Sequence, residues 1–260
     1  MHPVNKVLYK VGMMLQKTRS SVFIPRDFHE TYKASLAEVR RRAGERGFEV
    51  YTEERYEAGS HPDSFIDYEC AFASAIIARL ARRAHDGAPR ILDIGSYRHF
   101  ILGLLAGHRV TTIDVRDRTP ISENETVVTC DAKKLTLESG SFDIVVSLCG
   151  LEHFGLGRYG DDFDLDADRA ALAEMIRVLK PGGRLVFSTT ITGGKPQIVF
   201  NAHRIYDCDM IRAMCDGLVC EDEKFFRLEE GLGGALCRRE ELRAAPEVWD
   251  VYLGCWRKPQ

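Results

Sequence analysis

From about residue 90 onward, short apolar or β-branched runs alternate with helical segments, and three of those runs end at an aspartate. The run 90–95 closes on Asp93-Ile94-Gly95, the run 109–114 (RVTTID) closes on Asp114, and the run 126–130 is followed by Asp131. Strands alternating with helices specify a parallel sheet joined by right-handed crossovers, because parallel neighbours need a long connection over one face. Such a sheet takes nucleotide-like ligands at the carboxyl ends of its strands, where the strand order reverses. An acid placed there can accept hydrogen bonds from ribose hydroxyls or an adenine amino group. One such acid reads equally well as a helix cap or a solvated loop residue. Three at consecutive strand ends read as a binding site.

The rest of the chain completes the pattern. The segment 142–148 (FDIVVSL) is a buried strand and 168–179 a helix, and Lys180-Pro181-Gly182-Gly183 is a turn into the strand 184–188. Two further strands, 224–228 and 248–256, form a terminal hairpin. Helices are expected over 4–17, over 28–46 with Gly47 as its stop, and over 64–83, where Phe65, Tyr68, Phe72, Ile76, Ile77 and Leu80 make an apolar stripe. The expectation is an α/β, Rossmann-like fold: a mostly parallel seven-stranded sheet with an antiparallel C-terminal hairpin. Residues 1–86 form an N-terminal helical extension or lid, and 87–260 the ligand-binding domain.

Bulk properties narrow the function. The net charge is −3 over 260 residues, with no basic stripe of the kind nucleic acid requires. The eight cysteines include no C-x-x-C pair, so neither a zinc site nor a redox pair is expected. Asp162, Asp164, Asp166 and Asp168 alternate, but the glycine and distal glutamate of a calcium loop do not accompany them. They read as a solvated loop and helix N-terminus, and no metal site is expected. No apolar run approaches the roughly 20 residues of a membrane helix, and the first residues lack a signal-peptide pattern, so a cytoplasmic protein is expected. Residues 4–17, with Lys6, Lys10 and Lys17 around an apolar stripe, either pack on the domain or a partner or rest on the anionic inner face of the membrane. The oligomeric state is open.

The strand-end acids, together with L-K-P-G-G-R-L at 179–185, resemble the class I S-adenosylmethionine-dependent methyltransferases over roughly 87 to the C terminus. The usual second glycine is missing: the turn reads Gly95-Ser96-Tyr97-Arg98-His99-Phe100. A dinucleotide pyrophosphate site is therefore poorly supported, whereas S-adenosylmethionine carries no phosphate. A narrower resemblance lies in D-I-G-S at 93–96, L-E-H-F-G-L-G-R-Y-G-D at 151–161 and F-N-A-H-R-I-Y at 200–206. These are similar to a subgroup of these enzymes often met among bacterial surface-polysaccharide genes, with largely undefined substrates.

The resemblance implies that Asp93, Gly95, Ser96 and Tyr97, Asp114 with Val115, Asp131 with Ala132, and Cys149 line an S-adenosylmethionine site. It also implies that the segment after the fourth strand faces the transferred methyl. Methyl transfer is an in-line displacement, so the enzyme mainly aligns the reactants, and a hydroxyl nucleophile must also lose its proton. His153 and His203 are the candidate bases, with Glu152 as an orienting or cofactor-contacting acid; the alternative is that each histidine bonds a loop carbonyl and locks the site. Arg158, Tyr159, Asp161, Asn201 and Arg204 either contact a sugar or acidic small molecule or scaffold the loop. The implied function is methyl transfer to a small polar acceptor, by preference a sugar hydroxyl. The alternatives are methylation of a carboxylate or amine, and a non-catalytic binding subunit.

Overall fold

The computed structural model describes residues 26–51, 64–83, 87–229 and 233–260. The chain divides between His61 and Pro62 into two units. In the first, α1 (Arg26–Glu45) is a charged helix laced by Glu38 pairs to Arg41 and Arg42 at one-turn spacing, and Gly47 ends the turn after it at φ 78. The expected helix over 4–17 lies outside the described residues. No described helix is long and apolar enough to cross a membrane.

The second unit opens with α2 (Phe65–Arg83). β1 (Ile91–Ile94), α3 (Arg98–Leu105), β2 (Val110–Asp114), β3 (Glu125–Thr129) and β4 (Phe142–Leu148) follow. Next come α4 (Ala167–Val178), β5 (Leu179–Ile191), the hairpin β6 (Gln197–Val199) and β7 (His203–Ile205), and α5 (Cys208–Met214). β8 (Val219–Leu228), β9 (Gly234–Cys237) and β10 (Asp250–Arg257) complete it. The main sheet has eight strands in the order β3-β2-β1-β4-β5-β10-β8-β9. The first five are parallel, and β10, inserted between β5 and β8, runs antiparallel to both. The anticipated seven-stranded core is present; the eighth strand, β9, is a short pairing on β8 that carries too little apolar periodicity to be seen in sequence.

Both faces of the sheet are covered, which is why its central strands read as continuous apolar runs. On one face Leu92, Val145 and Tyr252 pack with Ala171, Leu172 and Met175 of α4. On the other, Ile91, Ile144, Val146 and Val251 pack with Phe72, Ile76 and Ile77 of α2 and Ile101 and Leu104 of α3. The helix α2 thus packs within the second unit, which begins at Pro62. The Lys180–Gly183 turn differs from expectation in a related way. β5 already pairs at Leu179 with Phe142, then resumes at Arg184 opposite Ile144, so the turn is a bulge within one strand, with Gly182 at φ 76.

One buried acid ties the C-terminal strands together. Asp250, fully buried, accepts the Leu228 N–H at 3.0 Å and the Arg243 N–H and Nε at 2.8 Å each. Asp250→Ala leaves those donors unpaired and is expected to lower the unfolding free energy by about 2–4 kcal/mol. Urea denaturation checks this, and a loss below about 1 kcal/mol would show that solvent replaces the carboxylate.

Candidate functional site

β1 is the strand at which the order reverses, with β2 on one side and β4 on the other. A cleft of about 710 Å³ opens at the carboxyl ends of these strands and β3, where such sheets bind ligands. Gly95 turns the chain out of β1 at φ 76, a conformation that L side chains rarely adopt. Gly150 closes the opposite wall: a Cβ there would lie 3.0 Å from Ser147 Oγ and 3.1 Å from the Ile94 carbonyl oxygen.

The three strand-end aspartates are in different states, and Asp114 and Asp131, but not Asp93, line the cleft. Asp93 is buried, its Oδ1 has no hydrogen-bond partner, and burial pushes its carboxyl up to about 7 despite bonds from Ser96. Asp114 lines the cleft and holds Arg116 through two contacts, Nε and Nη2, each at 3.0 Å. Burial opposes ionisation of Asp114, yet the guanidinium keeps its carboxyl below the usual range. Asp131 also lines the cleft; its Oδ1 accepts the Lys133 N–H at 2.9 Å. Val115, Ala132 and Cys149 are on the cleft wall. Ser96 instead works behind it, its Oγ accepting the Leu148 N–H at 3.0 Å. Tyr97 caps α3, and its phenol is pushed up by burial, then by Cys149 and Glu69.

The segment after β4 forms the outer wall. His153 is held by its Nδ1, 2.6 Å from the Ala202 carbonyl. A carbonyl accepts only, so Nδ1 carries the proton and donates, and Arg158, also near Nδ1 at 3.3 Å, donates to the same carbonyl at 3.2 Å. The free nitrogen, Nε2, faces Glu152 Oε1 at 3.9 Å. Burial holds the imidazole down at about 4, with Arg158 adding to the effect. Glu152 is buried, receives the Thr189 hydroxyl at 3.0 Å, and is pushed by burial up to about 7. The His203 ring centroid lies 6.3 Å from that of His153 and 5.7 Å from Trp249. Its Nε2 is enclosed without a partner, and burial lowers it too.

Among the expected acceptor contacts, Tyr159 and Asp161 line the cleft and Arg158 is exposed beside them, its guanidinium 5.4 Å from the Tyr159 ring. Asp161 also braces the loop, accepting the Gly155 and Tyr159 N–H groups at 2.7 and 3.1 Å. Asn201 is exposed in the β6–β7 turn and does not line the cleft. Arg204 is a correction: it is buried, donates to the Phe154, Asp164 and Leu165 carbonyls, and lies 3.6 Å from Asp168. These bonds strap the loop, and Arg204 does not line the cleft. Asp168 likewise leaves the solvated set; it is buried and accepts the Tyr206 hydroxyl at 2.9 Å.

Sequence reasoning passed over Arg116, Phe154 and Glu69. Arg116, 4.9 Å from the Tyr159 ring, and Phe154 both line the cleft. Glu69 offered a readable signal. It falls four residues after Phe65 and three before Phe72, on the apolar stripe of α2, where an unpaired acid is out of place.

Residues 92–187 match the family model described as a methyltransferase domain. No curated protein matches the sequence significantly. Among solved structures, the Burkholderia thailandensis 1,6-didemethyltoxoflavin-N1-methyltransferase, bound to 1,6-didemethyltoxoflavin and S-adenosylhomocysteine, is 20% identical. The match covers 89% of this chain and 90% of that one, with a TM-score of 0.50. The N-methyltransferase NodS from Bradyrhizobium japonicum, in complex with S-adenosylhomocysteine, is 18% identical over 75% of this chain and 97% of its own, with a TM-score of 0.46. The similarity to the first establishes the fold as Rossmann-like, of the methyltransferase type.

The His153 geometry has a direct spectroscopic consequence. Its ring is expected to remain neutral and Nδ1-protonated from about pH 5 upward, against an ordinary midpoint of about 6.5. The unfolded chain binds the proton first, so this residue costs stability as pH falls from about 6.5 toward 4. Imidazole 15N shifts titrated by NMR check this, and a midpoint above about 6 would show that burial does not suppress the charged ring.

Proposed function

We propose that the protein is an S-adenosylmethionine-dependent methyltransferase acting on a small polar acceptor, by preference a sugar hydroxyl of surface-glycan metabolism. The observation that carries this reading is the pair of carboxylates, Asp114 and Asp131, on one cleft wall at adjacent strand ends, with Asp93 buried at the end of β1. The residues present fit the cofactor. Asp114 suits the ribose hydroxyls, Arg116 now standing where those donors would bind, and Asp131 suits the adenine amino group. The unpartnered Oδ1 of Asp93 suits the amino group of the methionine moiety. S-adenosylmethionine supplies an electrophilic methyl on a sulfonium.

Catalysis by this chain then consists of alignment and proton removal. Glu152, titrating near 7, is matched to accept a hydroxyl proton at neutral pH, whereas His153, held near 4, is a poor proton acceptor. With Nδ1 fixed on Ala202, His153 offers Nε2 as a hydrogen-bond acceptor that orients the incoming hydroxyl. His203 does not line the cleft, and its enclosed Nε2 has no partner. The Tyr159 ring, flanked by Arg116 and Arg158, supplies an aromatic face and cations at the mouth, suited to a sugar carrying an acidic group. The motifs at 151–161 and 200–206 that resemble the polysaccharide-linked subgroup supply His153, Tyr159, Asp161 and His203 to this region, which supports a glycan acceptor over other metabolites.

The test is calorimetric titration with S-adenosylmethionine and S-adenosylhomocysteine, followed by a screen of sugar acceptors with labelled methyl donor. Micromolar binding is expected, weakened at least about tenfold in Asp114→Ala through loss of a charge-assisted bond pair. Glu152→Gln is expected to keep S-adenosylhomocysteine binding while slowing transfer by about 10²–10⁴. A folded wild-type protein that binds neither molecule would overturn the reading in favour of a non-catalytic subunit.

A further inference from the structure

Arg116 lies two residues beyond Asp114, outside any strand, yet it joins two walls of the cleft; Asp114, Arg116 and Tyr159 all line it. The Asp114 carboxylate holds Arg116 three times. Its Oδ1 accepts the Arg116 backbone N–H at 2.9 Å and Nε–H at 3.0 Å, and its Oδ2 accepts Nη2–H at 3.0 Å. The same guanidinium lies 4.9 Å from the centroid of the Tyr159 ring, on the loop that follows β4, within the reach of a cation–ring attraction. The side chain thus spans the mouth from the end of β2 to that loop. Most ion pairs at a protein surface contribute little, but a two-pronged guanidinium on a carboxylate that is only 18% exposed is a geometry that does contribute.

A count of lone pairs sets what a ligand meets there. An ionised carboxylate offers about four acceptor positions, two on each oxygen. On Asp114 the backbone N–H and Nε–H fill Oδ1, and Nη2–H takes half of Oδ2, so one position stays open. A ribose presents two neighbouring hydroxyls, and binding both to one carboxylate takes two positions. The backbone contact belongs to the turn, so the guanidinium is the group that leaves. Lys133 makes a second bridge to the same loop, its Nζ 3.5 Å from Asp131 and 3.2 Å from Asp164. There the count differs. Asp131 Oδ1 accepts the Lys133 N–H and Nζ approaches only loosely, so an adenine amino group, which needs one acceptor, is accommodated with Lys133 in place. One cation has to yield and the other does not.

Resting on the reading that the cleft binds S-adenosylmethionine, we propose that Arg116 is a latch on the donor site, occupying Asp114 while the cleft is empty and displaced from it by the ribose hydroxyls. The exchange weakens donor and demethylated product alike, because both carry the same ribose. Return of the guanidinium to Asp114 then favours release of the spent product, the step on which turnover often depends.

The test is calorimetric binding of S-adenosylhomocysteine, which carries no net charge near pH 7, to the full chain. The wild type, Arg116→Ala, Asp114→Ala and the double variant form a cycle. Arg116→Ala is expected to tighten binding about three- to tenfold where Asp114 is present, and by less than about twofold where it is absent. Lys133→Ala is expected to bring no such tightening. In a second measurement that leaves Asp114 intact, the advantage of Arg116→Ala over the wild type is expected to shrink as sodium chloride rises from about 50 to about 500 mM, since salt weakens the ion pair being broken. Unchanged or weaker binding by Arg116→Ala overturns the proposal, because a residue that contacts the ligand or braces the loop weakens binding when removed. Equal tightening with and without Asp114, or an advantage that salt leaves untouched, overturns it as well. The two readings fail separately: a folded wild-type protein that does not bind S-adenosylhomocysteine removes the cofactor assignment itself, whereas wild-type binding without tightening in Arg116→Ala removes only the latch.

Discussion

Everything at the cleft depends on how the chain leaves the sheet where β1 is flanked by β2 and β4. Parallel strands run out of ladder partners together at their carboxyl ends, and the departing backbone must be satisfied some other way. Serine hydroxyls do this here. Ser147 Oγ donates to the Ile94 carbonyl at 2.8 Å, Ser96 Oγ accepts from Leu148 N at 3.0 Å, and Ser188 Oγ accepts from Cys149 N at 2.9 Å. These three bonds pin the ends of β1, β4 and β5 to one another. They also account for the close approach at Gly150, where a methyl group would press on both Ser147 Oγ and the Ile94 carbonyl.

The acids around this junction differ according to their partners. Asp114 has a guanidinium and is held in its charged form; Asp93, Glu69 and Glu152 have mainly hydroxyls, a thiol or backbone donors, and burial raises all three. Desolvation disfavours charge unless an opposite charge stands within a few ångströms.

The parallel half of the sheet was legible because both its faces are buried. That requirement writes unbroken apolar runs such as FDIVVSL into the sequence, and Asp93, Asp114 and Asp131 punctuate their ends. The short hairpin β6–β7 and the edge strand β9 were not, since three or four half-exposed residues leave no periodicity to read. Arg204 shows the limit for side chains. Its place in a polar motif suggested ligand contact, but three carbonyls left over by the bend at 154–165 take its donors. That demand arises from tertiary folding and has no local signature. Glu69 is the converse case, an acid on an apolar stripe visible in sequence, whose partners Ser188 and Cys149 are supplied by strands far along the chain.

The bend at 154–165 also bears on how an acceptor is met. Gly155, at φ 72, has no room for a Cβ, which would lie 2.2 Å from the Asp164 carbonyl oxygen. Its N–H is bound by Asp161, and the Arg204 strap closes the loop from behind. A loop whose backbone groups are satisfied internally and whose turn admits only glycine loses little entropy when a ligand docks. His153 on this loop is likewise fixed by Ala202 from β7's approach. The groups proposed to orient the nucleophile are therefore placed before binding, and an in-line displacement gains most from such placement, because its rate depends on alignment of three atoms. On the proposed reading, specificity for the acceptor resides in the exposed members of this wall, Arg158 and Tyr159.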